Sequence, residues 1–246
     1  TDDIAYRNFE ELLQFRVGDI RDYPTVLEAV KGVDVVFNAA ALKQVPTCEY
    51  FPYEAVQTNI IGAHNITRAI REGQTPVKLA IGVSTDKACK PINVMGMTKA
   101  IQERIFIESN LSTPDTSFVC VRYGNVLASR GSVLPLFKEQ IRTGGPVTIT
   151  LKEMTRFLLT LNQAVDTIFA AVHGANMGET YVPKAPAARI LDVAKVLIGE
   201  KGTPIIKMVT GYRRPDPQDP DQKETVSYSR PIIKHYTVFN ADQIDW

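Results

Sequence analysis

The chain has 246 residues, of which 44% are hydrophobic and 22% charged, a balance that suits a globular protein of one large or two small domains. Lys and Arg total 28 against 27 for Asp and Glu, a net charge of +1, so no global field favours nucleic acid or an anionic membrane. Cys48, Cys89 and Cys120 are odd in number and lack CxxC spacing, which argues against a disulfide framework or a zinc site and for a reduced, cytoplasmic protein. No apolar run is long enough to span a bilayer, and Thr1-Asp2-Asp3 does not open a signal peptide.

In chain order, Leu13 to Val17 reads as a strand ending at Gly18-Asp19, and Tyr23 to Val30 as a helix. Val33 to Ala39 is a continuous apolar run, as expected of a strand buried on both faces of a parallel sheet. A helix over Pro52 to Ile70, a strand over Lys78 to Val83, a helix over Val94 to Ser109 and a strand over Phe118 to Arg122 follow. This alternation predicts right-handed βαβ crossovers and an α/β, doubly wound parallel sheet of Rossmann type. Residues 1–126 are assigned to that dinucleotide-binding core and residues 127–246 mainly to a smaller C-terminal substrate-binding region with interleaved core elements.

Within the second part, Ser132 to Thr143, Leu161 to His173 and Ile190 to Gly199 read as helices, and Val147 to Thr150 as a short strand. Prolines and acids from Tyr212 to Asp221 mark a loop. A dinucleotide fold normally starts with a strand and GxGxxG, which sets the pyrophosphate on a helix N-terminus. No such glycine motif occurs near Thr1, so the sequence lacks the glycine-rich βαβ start of that fold.

Ligands of open α/β sheets bind at the carboxyl ends of the strands. Asn38-Ala39-Ala40-Ala41 stands at one such end, where small side chains would let a ribose approach the backbone; a plain strand-to-loop turn needs the same residues. Asp19, after another expected strand, would accept from an adenine amine or serve as a cap near the helix that follows Asp22. Asp86 and Lys87 close a third strand. A carboxyl group and an amine there can exchange protons with adjacent substrate carbons, whereas an isolated Asp-Lys pair is commonly a solvated loop pair. Lys99 lies four residues beyond Met95, on the same face of the expected helix.

Six ordered segments carry a resemblance: Asn38-Ala-Ala-Ala-Leu-Lys-Gln-Val-Pro46, Ser84-Thr-Asp-Lys-Ala88 with Pro91-Ile-Asn93, Arg122-Tyr-Gly-Asn-Val126, Ser129-Arg-Gly-Ser132, Met154-Thr-Arg-Phe157 and Val182-Pro-Lys-Ala-Pro186. From about Leu13 to Gly211 the chain resembles the UDP-N-acetylglucosamine 4,6-dehydratases, which are extended short-chain dehydrogenase/reductases. Met95-Gly-Met-Thr-Lys99, with Pro46-Thr-Cys-Glu49 and Ala128-Ser-Arg130, is most similar to the inverting branch that serves capsule and O-antigen synthesis. In that branch methionine replaces the usual tyrosine and C5 is inverted. Pseudaminic-acid-type relatives, which retain the tyrosine, are the nearest alternative; a C5-retaining nucleotide-sugar dehydratase or epimerase and a non-catalytic nucleotide-sugar-binding homologue are the others.

The resemblance implies NADP or NAD as a tightly bound, regenerated cofactor and a UDP-sugar as substrate. Lys87 is expected to take the C5 proton, Asp86 to protonate the departing C6 hydroxyl, and Thr85 to bond near the C4 oxygen. Met95, a thioether, cannot be the base for C4-OH, a step that falls to Lys87, Asp86 or a water. Asp19, Ile20, Asn38, Ala39, Ala40, Lys43, Asn59, Ser84, Lys99, Tyr123 and Asn125 are the implied cofactor residues. Lys87, Asn125, Arg130, Arg156 and Lys184 are the implied substrate residues, the arginines suiting the UDP phosphates. No metal, nucleic acid or membrane is expected. The helices over Pro52 to Ile70 and Val94 to Ser109 imply a homodimer or higher homo-oligomer. Near the end, Gly211-Tyr-Arg-Arg-Pro-Asp-Pro217 departs from the family's pattern, leaving Arg213 and Arg214 without a matched role. His235 and Trp246 are read as packing or surface residues.

Overall fold

Runs such as Leu79–Val83 and Ser117–Val121 are short and apolar, with β-branched residues at several positions, which suits strands covered on both sides. In the computed structural model, which describes residues 13–129, 132–199 and 206–208, both are central strands. In chain order the elements are α1 (Tyr23–Val30), β1 (Val35–Asn38), α2 (Val45–Tyr50), α3 (Pro52–Ala55), a π-helical turn (Val56–Ile61) and α4 (Gly62–Glu72). β2 (Leu79–Val83), a 3-10 turn (Asp86–Ala88), α5 (Val94–Ser112), β3 (Ser117–Val121) and β4 (Asn125–Val126) follow. The remainder comprises α6 (Val133–Arg142), β5 (Val147–Ile149), β6 (Thr155–Leu159), α7 (Leu161–Gly174), β7 (Thr180–Tyr181), β8 (Ala187–Arg189), α8 (Ile190–Ile198) and β9 (Ile206–Met208).

The main sheet runs β1-β2-β3-β7 and is parallel throughout. Strand alternation sends Ala80, Phe118 and Cys120 to one face, where they pack with α1 through Val26 and Val30, with α4 through Ile66 and Ile70, and with Phe106 of α5. Ile81, Val119 and Val121 point to the other face and meet Ala171, Ile168 and Val172 of α7. Helices therefore cover both faces, as a doubly wound sheet requires. A second set of strands runs β4-β6-β8, parallel and then antiparallel, while β5 pairs with β9. Phe137, Val147, Ile149, Ile190 and Ala194 form a separate core beneath α6 and α8.

Three expectations are corrected. The run from Val33 to Ala39 forms a strand only from Val35 to Asn38, and Val35 and Phe37 are exposed. Among the described residues β1 is an edge strand, paired only with β2, and on its α7 side Phe37 meets the edge of Phe169 with ring centroids 6.4 Å apart. Leu13 to Val17 is not a strand, and Leu13, Phe15 and Val17 are exposed. Its alternating sequence finds no ladder partner among the described residues, and an apolar run without one gains nothing from extended pairing. The expected helix from Pro52 to Ile70 is interrupted by the π-helical turn and continues to Glu72. Arg130, the loop from Tyr212 to Asp221 with Arg213 and Arg214, His235 and Trp246 lie outside the described residues.

Candidate active site

The carboxyl ends of β1, β2 and β3 lie side by side because Asn38 is in register with Gly82, and Gly82 with Cys120. The segments that leave these strands are those singled out from sequence. After β2, Thr85 caps the 3-10 turn by accepting from the Lys87 N–H and donates its own hydroxyl to Asp86 Oδ1 at 2.9 Å. The turn folds Lys87 back, so that its Nζ stands 3.0 Å from Asp86 Oδ1 and 3.3 Å from Asn125 Oδ1. The Asp86 side chain is 8% exposed and that of Lys87 29%, so the pair is a shielded couple with one open side. Sequence reading had to leave a solvated loop pair open; burial removes that description.

Two glycines let the backbones close around the couple. A Cβ on Gly96 would sit 2.3 Å from the Lys87 carbonyl oxygen, and one on Gly124 2.5 Å from the Phe157 Cβ. The first contact sets α5 directly against the Asp86–Ala88 turn, and the second brings β6 beside Tyr123–Asn125. Asn93 caps α5 by accepting from the Gly96 N–H at 2.8 Å, and Glu49 of α2 accepts from the Val94 N–H at 2.8 Å. Met95 is buried with Cys48 and Ala55. Its side chain fills the apolar space between α5 and the α2–α3 region, together with Leu42, Val45 and Val94.

Arg156 on β6 is largely buried, and burial holds its guanidinium pKa below the ordinary value while the nearby Asp86 carboxylate opposes that shift. Its Nη1 donates to the Thr155 carbonyl at 2.7 Å. The structure thus brings Arg156 toward Asp86. Lys184 is exposed. A shallow apolar cleft is lined by Asn125, Leu127, Ser132, Leu158, Ile190 and Val193, among the second set of strands.

On the cofactor side, Asn38 is 3% exposed and its Oδ1 has no hydrogen-bond partner. Asn38 Oδ1 is thus a buried acceptor without a donor at the carboxyl end of β1. Ala39, Ala40 and Lys43 next to it are exposed. Asn59, in the π-helical turn, makes no outward contact: its side chain accepts from the Leu42 N–H at 2.8 Å and donates to the Leu42 carbonyl and to Thr98 Oγ1. It holds the Ala39–Lys43 loop in place. Asp19 is engaged by Arg21, whose Nε and backbone N–H reach its carboxylate, and these hydrogen bonds lower its pKa. Asp22, not Asp19, caps α1. Ile20 packs under α1 and approaches Gly62, and Tyr123 packs against the α7 face of the sheet, where burial raises its pKa.

Lys99 is turned inward. Its Nζ donates to the Val83 carbonyl at 2.5 Å and to Gln102 Oε1 at 2.6 Å, and burial pushes its pKa down to about 8. Sequence reading assigned no role to Gln102, Glu103 or Arg122. Glu103 was visible as the next residue on the face that carries Met95 and Lys99, and Arg122 as the first residue of a segment already singled out.

Comparison with known proteins places these features in a family. The chain matches the family described as polysaccharide biosynthesis protein over residues 2–216. It is 49% identical over 195 residues to an uncharacterized membrane protein of Methanocaldococcus jannaschii, covering 78% of this chain and 58% of that protein. It is 48% identical over 189 residues to a protein named UDP-glucose 4-epimerase in Rickettsia bellii, covering 76% and 55%. The chain thus spans little more than half the length of these relatives. Among solved structures, Pen from Bacillus thuringiensis superposes with a TM-score of 0.79 at 38% identity, covering 85% of this chain and 66% of that one. A dTDP-glucose 4,6-dehydratase of Streptomyces venezuelae shares the fold, with a TM-score of 0.75 at 18% identity over 85% and 70% of the two chains. The chain belongs to this family of polysaccharide biosynthesis proteins and has the architecture of the extended short-chain dehydrogenase/reductases.

Proposed function

We propose that the protein catalyses NAD(P)-dependent 4,6-dehydration of UDP-N-acetylglucosamine with inversion at C5, giving a UDP-2-acetamido-2,6-dideoxy-4-hexulose for capsule, O-antigen or a related glycan. The observation that carries this reading is the 3.0 Å hydrogen bond between Lys87 Nζ and Asp86 Oδ1 in a shielded, one-sided site. One proton passed from ammonium to carboxylate along that bond yields a neutral amine, the base needed at C5, and a neutral carboxylic acid, the donor needed at the C6 oxygen. Elimination of water needs both at once on neighbouring carbons. Asn125 and Thr85 fix the amine and the carboxyl oxygen in place.

The residues that would hold the cofactor are Asn38, with its unpartnered carbonyl, the exposed Ala39, Ala40 and Lys43, and Ser84 and Tyr123 at the neighbouring strand ends. Bound NAD(P) supplies reversible hydride storage, and a transient carbonyl at C4 is what acidifies C5-H. Arg156, with Lys184 and Arg130 as the further cations of the same segments, is assigned to the substrate side. The exposed apolar face of α5 further supports a homodimer.

A second reading is a nucleotide-sugar epimerase, favoured by the name carried by relatives such as that of Rickettsia bellii. Met95 does not separate the two, because both begin by oxidising C4 and both need a proton acceptor for C4-OH other than a thioether; the Asp86–Lys87 pair, suited to elimination across C5 and C6, favours dehydration. Incubating the full-length protein with UDP-N-acetylglucosamine and following the sugar by NMR separates the two. Loss of the C6 hydroxyl with a new 6-methyl signal is expected. An inverted C4 with C6 intact would establish the epimerase, and an unchanged sugar would leave neither activity standing. Lys87→Ala should abolish exchange of C5-H for deuterium; ordinary exchange in that variant would place the base elsewhere.

A further inference from the structure

Behind the reacting pair lies a buried ionic cluster that the mechanism above does not use. Met95, Lys99 and Glu103 recur at four-residue spacing along α5 and are all buried. Glu103 Oε1 accepts from Ser84 Oγ at 2.5 Å and from Arg122 Nε at 2.8 Å, and its Oε2 accepts from Arg122 Nη2 at 2.6 Å. Ser84 is the first residue after β2 and Arg122 the first after β3. The segments that continue from them carry Thr85-Asp86-Lys87 and Tyr123-Gly124-Asn125. One carboxylate on the helix therefore joins the two strand ends that must bring Lys87 within reach of Asn125.

We propose that Glu103, through its paired bonds to Arg122 and Ser84, is a positioning residue for the reaction: it fixes the Lys87–Asn125 geometry and, one turn from Lys99 on the same buried face of α5, sets the charge beside that amine. This rests on the dehydratase reading for its catalytic consequence, but not for its effect on Lys99. The groups facing the Lys99 amine are Glu103 on its own helix and Cys120 on β3; on β2 it meets the Val83 carbonyl, and Arg122 beyond β3 is taken up by Glu103. Burial pushes the Cys120 thiol up to about 12, so it is neutral where Lys99 titrates. Glu103 is left as the anion that opposes the desolvation of Lys99. A buried two-pronged ion pair is weak as a stabiliser, because desolvating both charges offsets much of their attraction. Its position between two catalytic segments gives it a geometric task.

Full-length protein labelled with [ε-13C]lysine reports the Lys99 titration directly by NMR, with Lys99→Arg assigning the signal. In Glu103→Gln the Lys99 midpoint should move below about 8, and kcat should fall roughly 10- to 100-fold with KM little changed, as expected when only the alignment of reacting groups is lost. Glu103→Asp, which keeps the charge, should restore the midpoint more fully than it restores kcat. Should Glu103→Gln fail to fold, the double variant Glu103→Leu with Arg122→Met removes both charges together and leaves no buried ion unpaired. A folded double variant should show the lowered midpoint and lowered kcat. An unmoved Lys99 midpoint, or a double variant with wild-type kcat, would show a structural ion pair only and overturn the proposal. If wild-type protein does not dehydrate the sugar, the dehydratase reading fails while the midpoint still decides the role of Glu103 toward Lys99.

Discussion

At the scale of single residues, Lys99 couples the site to stability. An amine in water keeps its proton to about 10.5, whereas burial pushes that of Lys99 to about 8. Between those values the unfolded chain binds a proton that the folded one does not, so stability rises as pH rises from about 8 to about 10.5. Below about 8 both states are protonated and the full cost of burying the ammonium is present. The window corresponds to roughly 3 kcal/mol for a fully expressed shift. Urea unfolding at pH 7.5 and at pH 10 should show Lys99→Met losing this slope while gaining stability at the lower pH. A slope that survives the substitution would assign it to another group.

At the scale of elements, function depends on how closely α5 approaches the turn after β2. Gly96 permits a contact with the Lys87 carbonyl that no Cβ can share, at 2.3 Å. Because the obstacle is backbone, neither side chain nor rotamer change relieves it. Gly96→Ala should therefore displace the Asp86–Ala88 turn and lower kcat by at least about 100-fold, since misplacing a reacting group by an ångström has effects of that size. Circular dichroism should stay native. Full activity in that variant would show that the turn is not held by this contact. The alternation of apolar strands with helices made the sheet legible in the sequence, and the segment Ser84–Lys99 was singled out by its place at a strand's carboxyl end and its resemblance; the structure brings Asp86, Lys87 and Asn125 together there. The exposure of Val35 and Phe37 holds among the described residues, where β1 is paired only with β2; the apolar run itself suits a strand covered on both faces. The π-helical turn was hidden. Asn59 stabilises it by clamping the Leu42 backbone, a contact made seventeen positions away that no local periodicity records. The inward turn of Lys99 depends on the Val83 carbonyl and Gln102 accepting its protons, which spacing alone cannot reveal.

At the scale of the whole molecule, α5 has a buried face and an exposed apolar one. Met95, Lys99 and Glu103 face inward, whereas Met97 and Ile101 are each 46% exposed. α3, with Tyr53 exposed on it and Phe51 exposed just before it, packs against α5, so these apolar side chains belong to neighbouring elements. A second copy applied by a two-fold axis would set α5 against α5, in an isologous contact where the same patch meets itself. A stable dimer of ordinary size buries about 800 Å² on each partner, and the apolar centre of such a contact would be these side chains. The double substitution Met97→Asp with Ile101→Asp puts four like charges at that centre when two copies meet. Sedimentation equilibrium should then give the monomer mass where the wild type gives the dimer. Because α5 also carries the site on its inner face, dimer loss should be accompanied by a lower kcat at low protein concentration. A wild-type protein that sediments as a monomer, or a doubly charged variant that still pairs, would remove α5 from the interface and leave its outer apolar residues without that role.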